Sequence, residues 1–259
     1  MNLELTNLHV LITGGSKGIG LACARGFIAE GARVTLVSRT LETLQCAQRE
    51  LQSGTPSATV NIIAADLRDA AEAERMVDAV ERDFGAVDVL VNSAGAAKRT
   101  PAAELTTDAW HDAMQAKFFT YIHVINPLIK KMGARGRGAV VNVIGAGGKV
   151  AAVTHLAGGS ANAALMLASS GLAAAYAGKG VRVNAVNPGL TLTERLQEGM
   201  QAEARQQGIS MEEALARAKA TRPLGRIAEP SEIADAVVYL ASNRASYITG
   251  AVVAMDGAV

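Results

Sequence analysis

The sequence predicts an α/β fold in which short parallel strands alternate with helices, and two observations carry that expectation. Apolar, β-branched runs recur along the chain, and each is followed by a segment of helical periodicity. Between the first run, Val10-Leu11-Ile12-Thr13, and the first helical segment lie Gly14, Gly15 and Gly18, and Gly20 falls in that segment's first turn. Glycines at such a turn permit a tight reversal and let backbone approach a pyrophosphate, and Gly20 lets the following helix pack closely on the strand. The helix from Ile19 to about Ala29 then aims its N-terminal amides at the phosphates.

The elements follow in order. Arg33 to Ser38 forms the second strand and Leu41 to Leu51 the second helix; Val60 to Ala65 the third strand and Ala71 to Phe84 its helix; Val87 to Val91 the fourth strand. Helical segments are expected from Thr107 to Met132, then a strand over Ala139 to Ile144 and a glycine-rich loop. An alanine-rich helix from about Ser160 to Ala177 and a strand over Val181 to Val186 complete the pattern. Strict βα alternation implies a doubly wound, Rossmann-type parallel sheet of about seven strands, with helices on both faces and a ligand at the strand C-termini. Nothing in the composition divides residues 1–259, so a single dinucleotide-binding domain is expected, with a lid over about 192–220.

Charge and cysteine content narrow the function. Lysine and arginine number 25 against 24 aspartates and glutamates, so no electrostatic footprint of nucleic acid or anionic membrane is present, and a small-molecule ligand is expected. Cys23 and Cys46 fall in helical segments with no metal-like spacing, so no metal is expected. Residues 1–8 lack a basic region followed by a long apolar run, and no stretch reaches the roughly 18 apolar residues of a membrane span; a cytoplasmic protein is expected. In a doubly wound sheet the end of the second strand meets the adenosine ribose. An acid there binds the 2′-hydroxyl, whereas a basic residue accommodates a 2′-phosphate. Here that end is Ser38-Arg39, with Lys17 a second cation nearby, which favours NADP over NAD.

Several motifs occur in order: Thr13-Gly14 with Gly18-Ile19-Gly20, Asp66-Leu67, Asn92-Ser93-Ala94-Gly95, Arg182 to Gly189, Pro223-Leu224-Gly225-Arg226, and a closing strand suggested by Tyr247 to Gly250 with Asp256-Gly257. In these the chain resembles the short-chain dehydrogenase/reductase superfamily over nearly its whole length. The resemblance implies that Gly14, Ser16, Lys17, Gly18, Ile19 and Gly20 line a pyrophosphate, and that Ser38 and Arg39 meet the adenosine phosphate. It also implies that Asp66 and Leu67 meet the adenine, that Asn92, Ala94 and Gly95 form the adenosine side of the cleft, and that Pro188, Gly189, Thr191 and Thr193 hold the nicotinamide carboxamide. A homo-oligomer, dimer or tetramer, is implied too.

The resemblance fails at the chemistry. That family uses a serine at the end of the fifth strand, a tyrosine and a lysine one turn apart further on, and an asparagine in the preceding helix. The corresponding positions here are Gly145, Gly158, Asn162 and Lys117, and no tyrosine of the chain has a lysine four residues after it. A glycine donates no side-chain proton, and a positioned acid or base is worth about 10²- to 10⁴-fold in rate. The lysine and asparagine positions are exchanged, so Lys117 is expected to restore a cation beside the nicotinamide ribose, or else to be a surface lysine. His155 is a candidate substitute acid, with Lys149 and Thr154 in the same loop. Gly145 to Gly148 are a candidate amide nest, while Lys98 and Arg99 are candidate anion contacts or solvated loop charges. In the lid, Leu196, Met200 and Met211 are either an apolar substrate wall or packing residues. Two functions are open: an NADP-dependent oxidoreductase with altered acid/base residues acting on an activated C=O or C=C, or a catalytically inactive NADP-binding sensor or partner subunit.

Overall fold

A computed structural model describes residues 2–95 and 97–258, the side chains of residues 198, 199, 202, 203 and 206 excepted. Seven parallel strands form one sheet in the order β3-β2-β1-β4-β5-β6-β7. They are β1 His9–Thr13, β2 Arg33–Ser38, β3 Val60–Ala64, β4 Val89–Asn92, β5 Gly138–Val143, β6 Val181–Pro188 and β7 Val252–Met255. The helices are α1 Gly18–Ala29, α2 Leu41–Gly54, α3 Ala70–Phe84, α4 Thr107–Ala113, α5 Thr120–Arg135, α6 Leu156–Tyr176, α7 Glu194–Gln207, α8 Met211–Ala220 and α9 Pro230–Ala241. The order reverses beside β1, so the C-terminal ends of β1 and β4 flank the crevice where such sheets bind ligands.

Alternation along the strands builds two cores. Val10 and Ile12 of β1 pack on one face with Phe27 of α1 and Val237 of α9, while Leu11 between them packs on the other with Val77 of α3 and Leu128 of α5. Each such residue, fully buried, contributes roughly 1.5–3 kcal/mol. Helix starts are capped by the side chains that favour that position: Asp69 accepts from Glu72 N before α3, Thr193 from Leu196 N before α7, and Ser210 from Glu213 N before α8. No described helix is long and apolar enough to cross a membrane. Among the described residues no cluster of His, Cys, Asp or Glu is arranged to hold a metal ion.

Beyond shifts of a few residues at element ends, the boundaries depart from the sequence expectations in four places. Strand β4 starts at Val89, since pairing with β1 begins at Val10 opposite Val89 while the Asp88 carboxylate accepts from His9 N. The helical stretch after Thr107 is α4, a π-helical turn over Met114–Phe119, and then α5. Helix α6 begins at Leu156 and takes in Gly158 and Gly159, because both glycines are buried against neighbouring segments with no room for a side chain. The closing strand lies between the two expected motifs: Tyr247 to Gly250 form the approach to β7, and Asp256-Gly257 follow it.

Candidate active site

The turn after β1 is built by exclusion. A β-carbon on Gly14 would sit 2.8 Å from Ala94 N, and one on Gly20 would collide with the Gly14 carbonyl. Gly14 and Gly18 also have φ values of +66° and +58°, which favour glycine. The segment after β6 folds over this turn: Thr193 Cγ2 lies 3.3 Å from the β-carbon position of Gly18, and Lys17 Nζ is 3.9 Å from a Glu194 carboxylate oxygen. Residues expected to act together from opposite ends of the chain are therefore neighbours. Ser16, Ile19, Ala94 and Gly95 border the same turn or are partly exposed beside it. Gly189 backs directly onto Asp256, and its amide donates to Met255 O at 3.0 Å. Pro188 is buried at the end of β6, and Thr191 pairs with Ala228.

At the far side of the crevice, Arg39 is exposed and Ser38 Oγ donates weakly to Thr40 O at 3.4 Å. Asp66 lies within electrostatic reach of Arg39, and its carboxylate is held by the Arg68 guanidinium, whose hydrogen bonds keep it below the usual carboxylate range. Leu67 is buried beside it. Asn92 departs from expectation. Its side chain is wholly buried, accepting from Thr13 Oγ1 at 3.2 Å and donating to Asn142 Oδ1 at 3.0 Å. It ties β1, β4 and β5 together rather than facing the cleft.

The end of β5 is a second kind of glycine-rich site. Gly145 has φ +131°, and the Asn162 amide nitrogen lies 3.2 Å from where its β-carbon would be. Asn162 is only 5% exposed, and its amide makes no hydrogen bond among the described residues. Over Gly158 lies the His155 ring, whose Nε2 is 2.7 Å from the β-carbon position, the same distance as Ala97 Cβ. His155 Nδ1 is buried without a hydrogen-bond partner. Burial, then the charges of Arg99, Arg195 and Lys117, push its pKa below the ordinary histidine value. The Gly145–Gly148 loop forms a turn of 3₁₀ helix that packs on the start of α6. Lys149 and Lys98 are exposed, while Arg99 reaches Thr154 Oγ1 at 3.5 Å.

Lys117 is not a surface residue. It sits in the π-helical turn, 7% exposed, and its Nζ donates to Tyr121 Oη at 2.8 Å and to Val143 O at 3.1 Å. Gly95, at φ +80°, makes the approach possible: a β-carbon there would collide with the Ala116 carbonyl. Burial, with a smaller effect of Arg195, pushes the Lys117 amine down to about 7. An ammonium has three N–H donors. Two are used on neutral acceptors, no carboxylate faces it among the described residues, and the third has no protein partner there. Its amine thus lies at the end of β5, while the Asn162 amide lies over Gly145. Tyr121 is the residue the sequence reading missed, because its lysine lies one turn before it rather than after it.

In the lid, Met200, Ala204 and Ala214 cluster with Leu196, Met211 and Leu215, so α7 and α8 pack on each other. Leu192, Met200, Met211 and Leu215 also line a cleft of about 420 Å³.

Comparison with known proteins agrees with this architecture. Residues 14–259 match the family model described as enoyl-(acyl carrier protein) reductase. A D-threitol dehydrogenase of Mycolicibacterium smegmatis is 34% identical over 256 residues, covering 99% of this chain and 94% of that protein. This chain is a short-chain dehydrogenase/reductase. Among solved short-chain dehydrogenase/reductase structures, L-sorbose reductase from Gluconobacter frateurii, complexed with NADPH and L-sorbose, superposes with a TM-score of 0.94 at 30% identity, covering 100% of this chain and 98% of that one. An NADPH-bound short chain oxidoreductase of Pseudomonas aeruginosa, described as containing an atypical catalytic center, gives a TM-score of 0.88 at 32% identity with 97% of both chains covered.

Proposed function

We propose that this short-chain dehydrogenase/reductase is an NADP(H)-dependent oxidoreductase that reduces an activated C=O or C=C with an altered acid/base set: Lys117, Asn162 and His155. The observation that carries the reading is Lys117 itself, a buried amine poised near neutrality with one donor unmatched. Burying an amine without a carboxylate costs stability, and such perturbed groups concentrate at functional sites.

The residues present fit the dinucleotide. The turn from Gly14 to Gly20 has no room for side chains at Gly14 or Gly20 and so presents backbone to a pyrophosphate, and the cations Lys17 and Arg39 with the Ser38 hydroxyl supply a rim without an acid at the end of β2. Gly189, Thr191 and Thr193 would hold the carboxamide. When bound, NADPH supplies a hydride. NADPH is also the ligand of the L-sorbose reductase and Pseudomonas aeruginosa oxidoreductase structures, which supports NADP over NAD.

The chain's own residues handle the proton. As hydride reaches a carbonyl carbon, the C=O π pair moves onto oxygen, the Nζ–H bond of Lys117 breaks and an O–H bond forms; water then reprotonates the amine. The Asn162 amide, over Gly145, donates a hydrogen bond to the same oxygen. In the alcohol-oxidising direction the same path runs backwards and the neutral Lys117 amine takes the proton; His155, a weaker base than an ordinary histidine, walls the pocket above Gly158. Helices α7 and α8 close over the site as a lid. The protein acts on a small molecule in the cytoplasm as a homo-oligomer, a reading supported by the exposed Leu167 on α6 and Tyr247 beside β7. The second reading, an inactive NADP-binding sensor or partner subunit, is favoured by one observation: no side chain projects from Gly145 or Gly158.

Titration with NADPH and NADH by fluorescence, followed by ketones, enoyl thioesters and quinones in the same cuvette, tests both. Micromolar NADPH binding, at least about tenfold tighter than NADH and lost as a preference in Arg39→Ala, with oxidation by any substrate, supports the enzyme. Binding without turnover favours the sensor, and no binding of either nucleotide overturns both.

A further inference from the structure

The sequence contains no tyrosine followed four residues later by lysine, yet the structure contains a Tyr–Lys pair at the end of β5. Lys117 and Tyr121 are one turn apart in the opposite order, with Lys117 in the π-helical turn and Tyr121 in α5. Tyr121 is fully buried and its hydroxyl donates to Val143 O at 2.5 Å while accepting from Lys117 Nζ at 2.8 Å. Val143 O therefore receives two hydrogen bonds, the second from Lys117 at 3.1 Å. The ammonium also lies 4.5 Å from the centroid of the Tyr121 ring. Three groups on three elements, the π-helical turn, α5 and β5, form a closed triangle two residues before Gly145.

This triangle excludes one role for Tyr121 and assigns another. Its only proton is engaged by a backbone carbonyl, and burial pushes the phenol further above its ordinary value, so it does not deliver a proton to a substrate. Its lone pair faces the amine, whereas the hydroxyl of the neighbouring Thr120 turns back to the Lys117 carbonyl. Resting on the reductase reading above, we propose that Tyr121 is a positioning residue: its hydroxyl, anchored on the Val143 carbonyl, holds the Lys117 amine at the end of β5 with one N–H left for a reacting oxygen. A π-helical turn, a feature common at functional sites, is what brings the lysine into this register.

The test follows the isotope-labelled ε-carbon resonance of Lys117 against pH, assigned by its loss in Lys117→Met, in the native chain and in Tyr121→Phe. The phenylalanine keeps the ring and removes only the acceptor. Losing one hydrogen bond to the charged form moves the Lys117 midpoint to lower pH by about one unit. In turnover, the pH limb of kcat moves with it and KM for NADPH stays constant. An unmoved midpoint in a folded Tyr121→Phe protein overturns the proposal. If that variant does not fold, incorporation of 3-fluorotyrosine, a weaker acceptor of the same shape, replaces it, and again an unmoved Lys117 midpoint overturns the proposal. The resonance is read without substrate, so absence of turnover rejects the reductase reading separately from the Tyr121–Lys117 coupling.

Discussion

Glycine crowds both sides of the cleft, for opposite reasons. In the turn after β1, the atoms that forbid a side chain are backbone: the Gly14 carbonyl against Gly20, and Ala94 N against Gly14. At the start of α6, the space above Gly158 is filled by side chains, the His155 ring and Ala97 Cβ, and the space at Gly145 meets the Asn162 amide. The first kind of glycine is fixed by the fold. The second is where a fold keeps its shape while its chemistry is exchanged, since side chains that fill a gap can be replaced singly.

The comparison is broken most decisively at Gly20. A Gly20→Ala protein must move α1 away from β1, costing about 3 kcal/mol and lowering Tm by roughly 10 °C, with NADPH binding lost; a calorimetric scan and a nucleotide titration measure both. A normal melt with retained binding would remove the distinction.

Lys117→Met sharpens the comparison by separating function from stability. Turnover falls by about 10²- to 10⁴-fold, yet the protein becomes more stable. The Lys117 amine titrates at about 7 when folded and near 10.5 when unfolded, so between these values the unfolded chain binds more protons. The penalty is full below pH 7, shrinks as pH rises and vanishes above about 10.5. The advantage of Lys117→Met, a few kcal/mol at pH 6, should therefore fade by pH 10 in denaturant titrations. An advantage that does not change with pH would show that folding leaves the Lys117 amine charged and unshifted.

Gly158→Ala has the smallest expected effect on stability. The gain of about 1 kcal/mol from alanine in a helix offsets much of the crowding, so Tm stays within about 2–3 °C, while the displaced His155 ring narrows the pocket and lowers turnover about tenfold in both directions. A Gly20-like collapse here would show that backbone, not His155, compels this glycine.

The sequence made the fold legible because its signals are local. Val10 to Thr13 and Val181 to Val186 are β-branched runs whose alternating side chains must be covered on both faces, and the glycines after β1 lie within one turn of it. The site was legible only by position. Lys117, Asn162 and His155 are brought together from the middle of the chain, but whether the lysine is buried depends on a π-helical turn that adds a residue to one helical circuit, and periodicity does not encode that. Asn92 misled because its type suits a ligand contact as well as a buried amide between Thr13 and Asn142. Gly158 and Gly159 read as loop because glycine is a poor helix former; packing against Ala97 and Gly147 overrides that propensity.

Asn92 belongs to a longer line. Thr13 on β1 bonds to Asn92 on β4, Asn92 to Asn142 on β5, and Asn142 to Ser169 on α6, whose hydroxyl ends on Leu165 O at 2.7 Å. The line crosses the sheet as a buried crossbeam, from the residue before the glycine turn to the helix that carries Asn162. Each joint is short, directional and shielded from water, so the beam resists stretching far more than apolar contacts, which slide. The gap between the two sides of the cleft is thereby set like the jaw of a fixed-span gauge, and a visiting molecule must match that span instead of defining it.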